Sequence, residues 1–317
     1  MYKYTLLILL LGIYQSMYAF EEGYSDNNGV KIYYRDYGPV DADPIILVQG
    51  LGGQLTQWPD NLIDLLKDNN FRPIVYDNRD IGLSTKFQGS PNYTTDYVKY
   101  IFRLPLKSEY SIDDMGLDGI SVLDTLNIKS AHLLGMSMGG MIAQIIAANH
   151  PERVKSFTLI ASTAATPSPF NSPTREVRNL ILDRSITKNA SYEDRYQRAV
   201  ELIKVIGMEG YEFDTPEFKE QAIENMKRSK DDTGFSRQLL AILASKNRFK
   251  KIQSINTPTL IVHGEDDPLL KVKNGYKMHK LIPASELIII ENMRHLIEQP
   301  ILDQFKDRLI IHLKTNS

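Results

Sequence analysis

The stretch that most constrains what this chain can fold into is Gly135-Met136-Ser137-Met138-Gly139. The residues before it, Ala131-His132-Leu133-Leu134, are a short apolar run with the length of a buried strand. Those after it, Gly140 to Ala148, read as a helix with small residues at Ala143 and Ala147. A serine lifted on a sharp strand-to-helix turn needs glycine two places before and two after, because a Cβ at either point would clash. Such a pentapeptide alone also occurs as an ordinary glycine turn. A strand before it and a helix after it mark Ser137 as a nucleophile.

A serine hydroxyl is a poor nucleophile until a base takes its proton, so Ser137 predicts a histidine and an orienting carboxylate elsewhere. On this kind of turn the partners follow in the order Ser, Asp or Glu, His. The chain supplies both in that order. Pro258-Thr259-Leu260-Ile261-Val262-His263-Gly264 reads as an apolar strand ending in Glu265-Asp266-Asp267-Pro268. Ser285-Glu286-Leu287-Ile288-Ile289-Ile290 is the next strand, ending in Glu291-Asn292-Met293-Arg294-His295. Both candidate groups follow the carboxyl end of a strand, where parallel sheets carry their sites.

On these motifs most of the chain resembles the α/β-hydrolases, nearest to the subgroup that includes aclacinomycin methylesterase. The resemblance assigns Ser137 as nucleophile, Asp267 as the acid at Gly-x-x-Asp, and His295 as base. Asp266, its neighbour, stays as a turn or surface carboxylate and as the alternative acid. Val48-Gln49-Gly50-Leu51-Gly52-Gly53 matches the family's oxyanion loop, with Gln49 where many members have histidine. That loop donates backbone N–H groups, so the implied oxyanion hole is the N–H of Leu51 with that of Met138. Tyr76-Asp77-Asn78-Arg79-Asp80-Ile81-Gly82-Leu83-Ser84 matches the family's Asp-x-Arg-x-x-Gly-x-Ser turn, with Asp80 where glycine is more usual.

Strands alternate with helical patterns. Asn28-Gly29 marks an opening hairpin whose second strand runs from Val30 to Tyr37. Ile45 to Val48, Pro73 to Tyr76, Ala131 to Leu134 and Phe157 to Ile160 follow as strands, which implies a mostly parallel central sheet flanked by helices. Between Ser162 and Ile255 the alternation stops. Ser172-Pro173, Ser191 and Thr215-Pro216 each open a helix-like segment there, and another helix runs from about Phe235 to Asn247. This insertion between the sixth and seventh strands is where the family carries its lid; an added layer remote from the site is the other reading. The expected division is 1–19 signal peptide, 20–161 core, 162–255 helical lid and 256–317 core.

A second stretch, Tyr93, Tyr97, Tyr100, Ile101, Phe102 and Leu104, is rich in aromatic residues. It reads as the wall of an acyl pocket, a lipid-facing surface or an ordinary packed helix. Helix Ile112 onward opens on Tyr110-Ser111-Ile112-Asp113-Asp114 and feeds the strand before Ser137. Among the other histidines, His132 and His263 lie in strands, His150 precedes Pro151, and His279 and His312 sit on helices. Each reads as structural or solvated.

With 317 residues and 42% apolar content the chain can bury a large core, and a net charge of −2 gives no footprint for nucleic acid. There is no glycine-rich phosphate loop and no Cys/His cluster of metal spacing, so no cofactor is expected. The apolar run from Thr5 to Ile13 after Lys3 is a signal-peptide core, shorter than the ~20 residues of a membrane helix. Cleavage after Ala19 and export, periplasmic or secreted, are expected; a retained anchor is the alternative. These features point to a serine hydrolase that cleaves small-molecule carboxylic esters through an acyl-enzyme. Perhydrolase or C–C hydrolase chemistry on the same triad, and a non-catalytic ligand-binding module, are the alternatives.

Overall fold

A computed structural model describes residues 20–89, 91–166, 173–182, 190–229 and 233–317. The expected signal segment, 1–19, and Ser172 lie outside that part. Eight strands form one sheet: β1 (Glu21–Asn27), β2 (Val30–Asp36), β3 (Asp43–Val48), β4 (Phe71–Tyr76), β5 (Ala131–Met136), β6 (Val154–Ile160), β7 (Thr259–Gly264) and β8 (Ser285–Ile290). Their spatial order is β1-β2-β4-β3-β5-β6-β7-β8. β1 and β2 form an antiparallel hairpin, closed by Asn28 and Gly29 with φ of 52° and 89°, the positive values that a two-residue turn requires. From β4 to β8 every neighbouring pair is parallel.

The parallel strands are covered on both faces, so they read as continuous apolar runs rather than alternating ones. Every residue of β4, β5 and β7 is buried. Successive side chains go to opposite faces. Ile46, Val48 and Leu133 join one apolar cluster, and Ile45, Leu47 and Leu134 the other. The flanking helices before the insertion are α1 (Asp60–Asp68), α2 (Tyr93–Ile101), α3 (Ile112–Thr125) and α4 (Met138–Asn149). Helix α3 begins with a reciprocal cap, Ser111 with Asp114, and packs on α4 through glycines: a Cβ at Gly116 would lie 3.1 Å from Ile145 Cγ2.

Between β6 and β7 the chain forms helices α5 (Arg175–Leu182), α6 (Tyr192–Ile206), α7 (Pro216–Arg228), α8 (Gly234–Ala244) and α9 (Phe249–Ile252). Ser191 and Thr215 cap α6 and α7 as their sequences imply. Two expectations need correction. Pro173 stands ahead of α5, because the Thr174 carbonyl accepts the first helical bond, from Arg178 N–H at 2.9 Å. Helix α8 stops three residues short of Asn247, where the Ser245 hydroxyl turns back to the Ile242 carbonyl at 2.7 Å. After β7 come α10 (Lys273–Leu281) and, after β8, α11 (Gln299–Thr315). In the aromatic stretch Val98, Ile101, Phe102 and Leu104 are exposed.

Candidate active site

In an open parallel sheet the crevice forms where the strand order reverses, outside the carboxyl ends of the strands. Here that place is β3, which has β4 on one side and β5 on the other. The loop after β3 and the turn after β5 therefore meet. Ser137 sits on that turn with φ 55° and ψ −120°, a conformation that residues other than glycine rarely adopt. The turn is tight for a visible reason. A Cβ at Gly135 would lie 2.6 Å from the Gly139 carbonyl oxygen, and one at Gly139 would overlap the Val48 carbonyl. The Ser137 amide donates to the Ile160 carbonyl at 3.0 Å, and the Ser162 hydroxyl donates to the Ser137 carbonyl at 2.8 Å. Those bonds help to fix a strained backbone against the neighbouring strand.

The structure brings His295 and Asp267 to this serine. His295 Nε2 is 2.9 Å from Ser137 Oγ, and His295 Nδ1 is 2.7 Å from Asp267 Oδ2. All three residues come from different strand ends, β5, β7 and β8, separated by up to 158 positions in the chain. The other oxygen of Asp267 accepts the amides of Leu269 and Leu270, each at 2.8 Å, which fixes the carboxylate. Asp266 is exposed, and its amide bonds the Met293 carbonyl at 3.2 Å, so its role is in the turn.

Gly50 lies directly beside the serine; a Cβ there would be 3.3 Å from Ser137 Cβ. The amide of Leu51, next in the chain, donates to no other group among the described residues. Met138 is the first residue of α4, so its N–H has no carbonyl one turn back to bond. Gln49, in place of the more usual histidine, accepts the Gly50 amide through its side chain at 2.9 Å.

His263 lies on β7, just ahead of the loop that carries Asp267. Its Nε2–H donates to the Leu270 carbonyl at 2.6 Å, and burial lowers its pKa, which keeps the ring neutral. The loop that carries His295 is held from outside the sheet. The His295 amide donates to the Ile206 carbonyl at 2.7 Å, and Glu298 accepts the Met208 amide at 2.7 Å. Burial raises the pKa of Glu298.

Several of these partners carry no sequence signature. Arg237 of α8 forks onto Asp80 with bonds of 2.9 and 2.8 Å, while Tyr110 donates to the same carboxylate at 2.6 Å. Arg228 at the end of α7 pairs with Asp77 at 2.7 Å. Burial raises the pKa of Asp77, and Arg228 opposes that shift. Asp80, at φ 74°, was the one visible signal: an acid where glycine is more usual demands a cation. Among the described residues, no group of three or more His, Cys, Asp or Glu side chains could hold a metal ion.

Comparison with known proteins identifies the fold family. A family model described as the alpha/beta hydrolase fold matches residues 43–297. Rhodomycin D methylesterase of Streptomyces peucetius is 24% identical over 305 residues, covering 91% of this chain and 96% of that protein. The 3-oxoadipate enol-lactonase 2 of Acinetobacter baylyi is 27% identical over 274 residues, covering 86% and 89%. The crystal structure of a hydrolase from Pseudomonas aeruginosa superposes with a TM-score of 0.70 at 19% identity, covering 92% of this chain and 98% of that one.

Proposed function

The chain belongs to the α/β-hydrolase fold family, and on that premise we propose that it hydrolyses small-molecule carboxylic esters with Ser137 as nucleophile. The observation that carries this reading is the unbroken line from Ser137 Oγ through His295 to Asp267, with bonds of 2.9 and 2.7 Å. Ser137 attacks the ester carbonyl as His295 Nε2 takes its proton, and Asp267 holds the Nδ1–H tautomer and stabilises the imidazolium. His295 then gives the proton to the leaving alcohol. Water attacks the acyl-enzyme with His295 again as base, and the acid and free Ser137 result. The amides of Leu51 and Met138 receive the negative charge of the tetrahedral intermediate, where loss of one donor costs about 3 kcal/mol.

Two of the relatives are named for ester-type bonds, a methylesterase and an enol-lactonase, and a lactone is a cyclic ester. The five helices between β6 and β7 act as a cap over the acyl side. Phe235 of α8 packs on Gly52 of the oxyanion loop, where a Cβ would come within 2.7 Å of its ring. An apolar wall there gains about 0.8 kcal/mol per buried CH₂, so kcat/KM rises from acetyl to short and medium acyl chains until the space is full. The segment 1–19 directs export, and the mature chain begins near Phe20.

The test is a panel of p-nitrophenyl esters of increasing acyl length, run on the wild type and on Ser137→Ala. The variant loses about 10⁴- to 10⁶-fold in kcat with its fold retained, and the wild type shows an optimum in acyl length. A Ser137→Ala protein that turns over as fast as wild type overturns the reading.

A further inference from the structure

Gln238 lies in α8, on the insertion, and is fully buried. Its Oε1 accepts the amide of Gly52 at 2.9 Å, and its Nε2 donates to the carbonyl of Arg79 at 2.8 Å. It thereby ties the loop after β3 to the turn after β4 through a helix 186 positions away from Gly52.

The consequence lies in three consecutive peptide planes. The first carries the Gly50 amide, held by the Gln49 side chain at 2.9 Å. In the second, the Gly50 carbonyl accepts the Gly53 amide at 3.1 Å. A trans peptide points its N–H opposite its C=O, so this bond turns the Leu51 N–H away from Gly53. The third plane carries the Gly52 amide, and Gln238 holds it. Gly52 itself has φ +73°, where side-chain-bearing residues are strained, so the loop cannot be stiffened by a substitution there. Two of these anchors come from within the loop, Asn78 after β4 also donates to the Gln49 carbonyl of the first plane at 2.9 Å, and Gln238 comes from the cap.

We propose that Gln238 is a positioning residue for the oxyanion hole. By holding the Leu51–Gly52 peptide it keeps the loop from turning the Leu51 N–H away from the carbonyl oxygen under attack at Ser137. The proposal rests on the reading of Leu51 as an oxyanion donor. It also makes α8 a fixed part of the catalytic frame, and any opening of the cap has to occur elsewhere in the insertion.

The test compares the full-length wild type with Gln238→Met and Gln238→Glu, with active sites counted by stoichiometric phosphonate titration. Methionine keeps the volume and removes both bonds. A misplacement of about 1 Å costs on the order of 10²-fold, so kcat per titrated site should fall about ten- to hundred-fold while KM stays within about twofold. Affinity for a trifluoromethyl ketone, whose serine adduct carries the same oxyanion, should fall by the same factor as kcat/KM. Amide hydrogen exchange at Gly52 should accelerate. A protonated glutamic acid can reproduce both bonds, accepting from Gly52 and donating its O–H to Arg79, and an ionised one cannot. The ratio of Gln238→Glu to wild-type kcat should therefore be highest at low pH and fall as the carboxyl ionises, which a purely structural role would not produce. This second variant carries the test if Gln238→Met fails to fold. Unchanged kcat per site in Gln238→Met, or a pH-independent Gln238→Glu ratio, overturns the proposal. A wild type that does not take up phosphonate or turn over esters overturns the hydrolase reading instead, and the Gly52 exchange rate still reports whether the bond exists.

Discussion

The sheet and the helical insertion both reach the loops around Ser137, but different forces place them. Strands β4, β5 and β7 are buried along their whole length, and two apolar clusters clamp the sheet from either face. In the insertion, α6 buries only Tyr196, Val200 and Ile206 of its fifteen residues. What α8 buries includes Ser236, Arg237 and Gln238 beside Leu240, Ala241 and Ile242, so ion pairs and amide hydrogen bonds join apolar packing in its hold on the core. Apolar burial is spread over many side chains and is non-directional. A buried polar contact is directional and costly to half-remove. The sheet should therefore tolerate single changes by degrees, whereas the placement of α8 depends in addition on a few polar residues.

That difference predicts the largest effect on the sheet side, where the reacting groups are mounted. Asp267→Asn should lower kcat by roughly 10⁴-fold, by analogy with other triads, and Asp266→Asn should have little effect. Steady-state kinetics on the two variants decides this, and the reverse ranking would transfer the acid's role to Asp266.

On the insertion side, Arg237→Met strands a buried Asp80 carboxylate and should cost about 3–5 kcal/mol of stability in urea unfolding. Adding Asp80→Asn should restore part of it, because the stranded charge is gone. Leu134→Ala, in the sheet, loses a comparable amount, about 2–5 kcal/mol, but no second change to a neighbouring residue's charge would restore it. Recovery in the first case and not in the second is what separates the two regions.

A smaller effect tests His132 and His263, buried in strands, and His312, half-buried on α11. Burial lowers the pKa of His132 and His263, and that of His312 to about 4. Each is neutral when folded and takes its proton more readily when unfolded, near 6.5. Stability should be complete above about pH 6.5 and fall as pH drops from there; for His312 the loss is complete near pH 4. Unfolding at a series of pH values should show this slope, and His312→Gln should flatten it. The smallest effect belongs to the aromatic stretch: Phe102→Ser, on the exposed side, should change stability by no more than about 0.5 kcal/mol.

The same contrast explains what could be read from the sequence. The turn around Ser137, the strand ends carrying Asp267 and His295, and the caps at Ser191 and Thr215 leave local signatures, because the backbone conformation itself dictates glycine, apolar runs or a capping side chain. The bonds from Arg237 to Asp80 and from Gln238 to Gly52 join positions 157 and 186 apart; Asp80 calls for a cation without saying which, and nothing local announces the pairing of Gln238 with Gly52. Phe102 and Leu104 are less legible: the sequence leaves a pocket wall, a lipid-facing surface and a packed helix open, and both side chains are exposed.

The central claim is that Ser137 is an activated nucleophile. The most direct measurement is mass spectrometry of the full-length protein after treatment with a fluorophosphonate, followed by peptide mapping. The account predicts one phosphonyl group per chain, on Ser137, with labelling slowed by orders of magnitude in His295→Ala and absent in Ser137→Ala. A wild type that stays unlabelled, or a label mapped to any other residue, would contradict it.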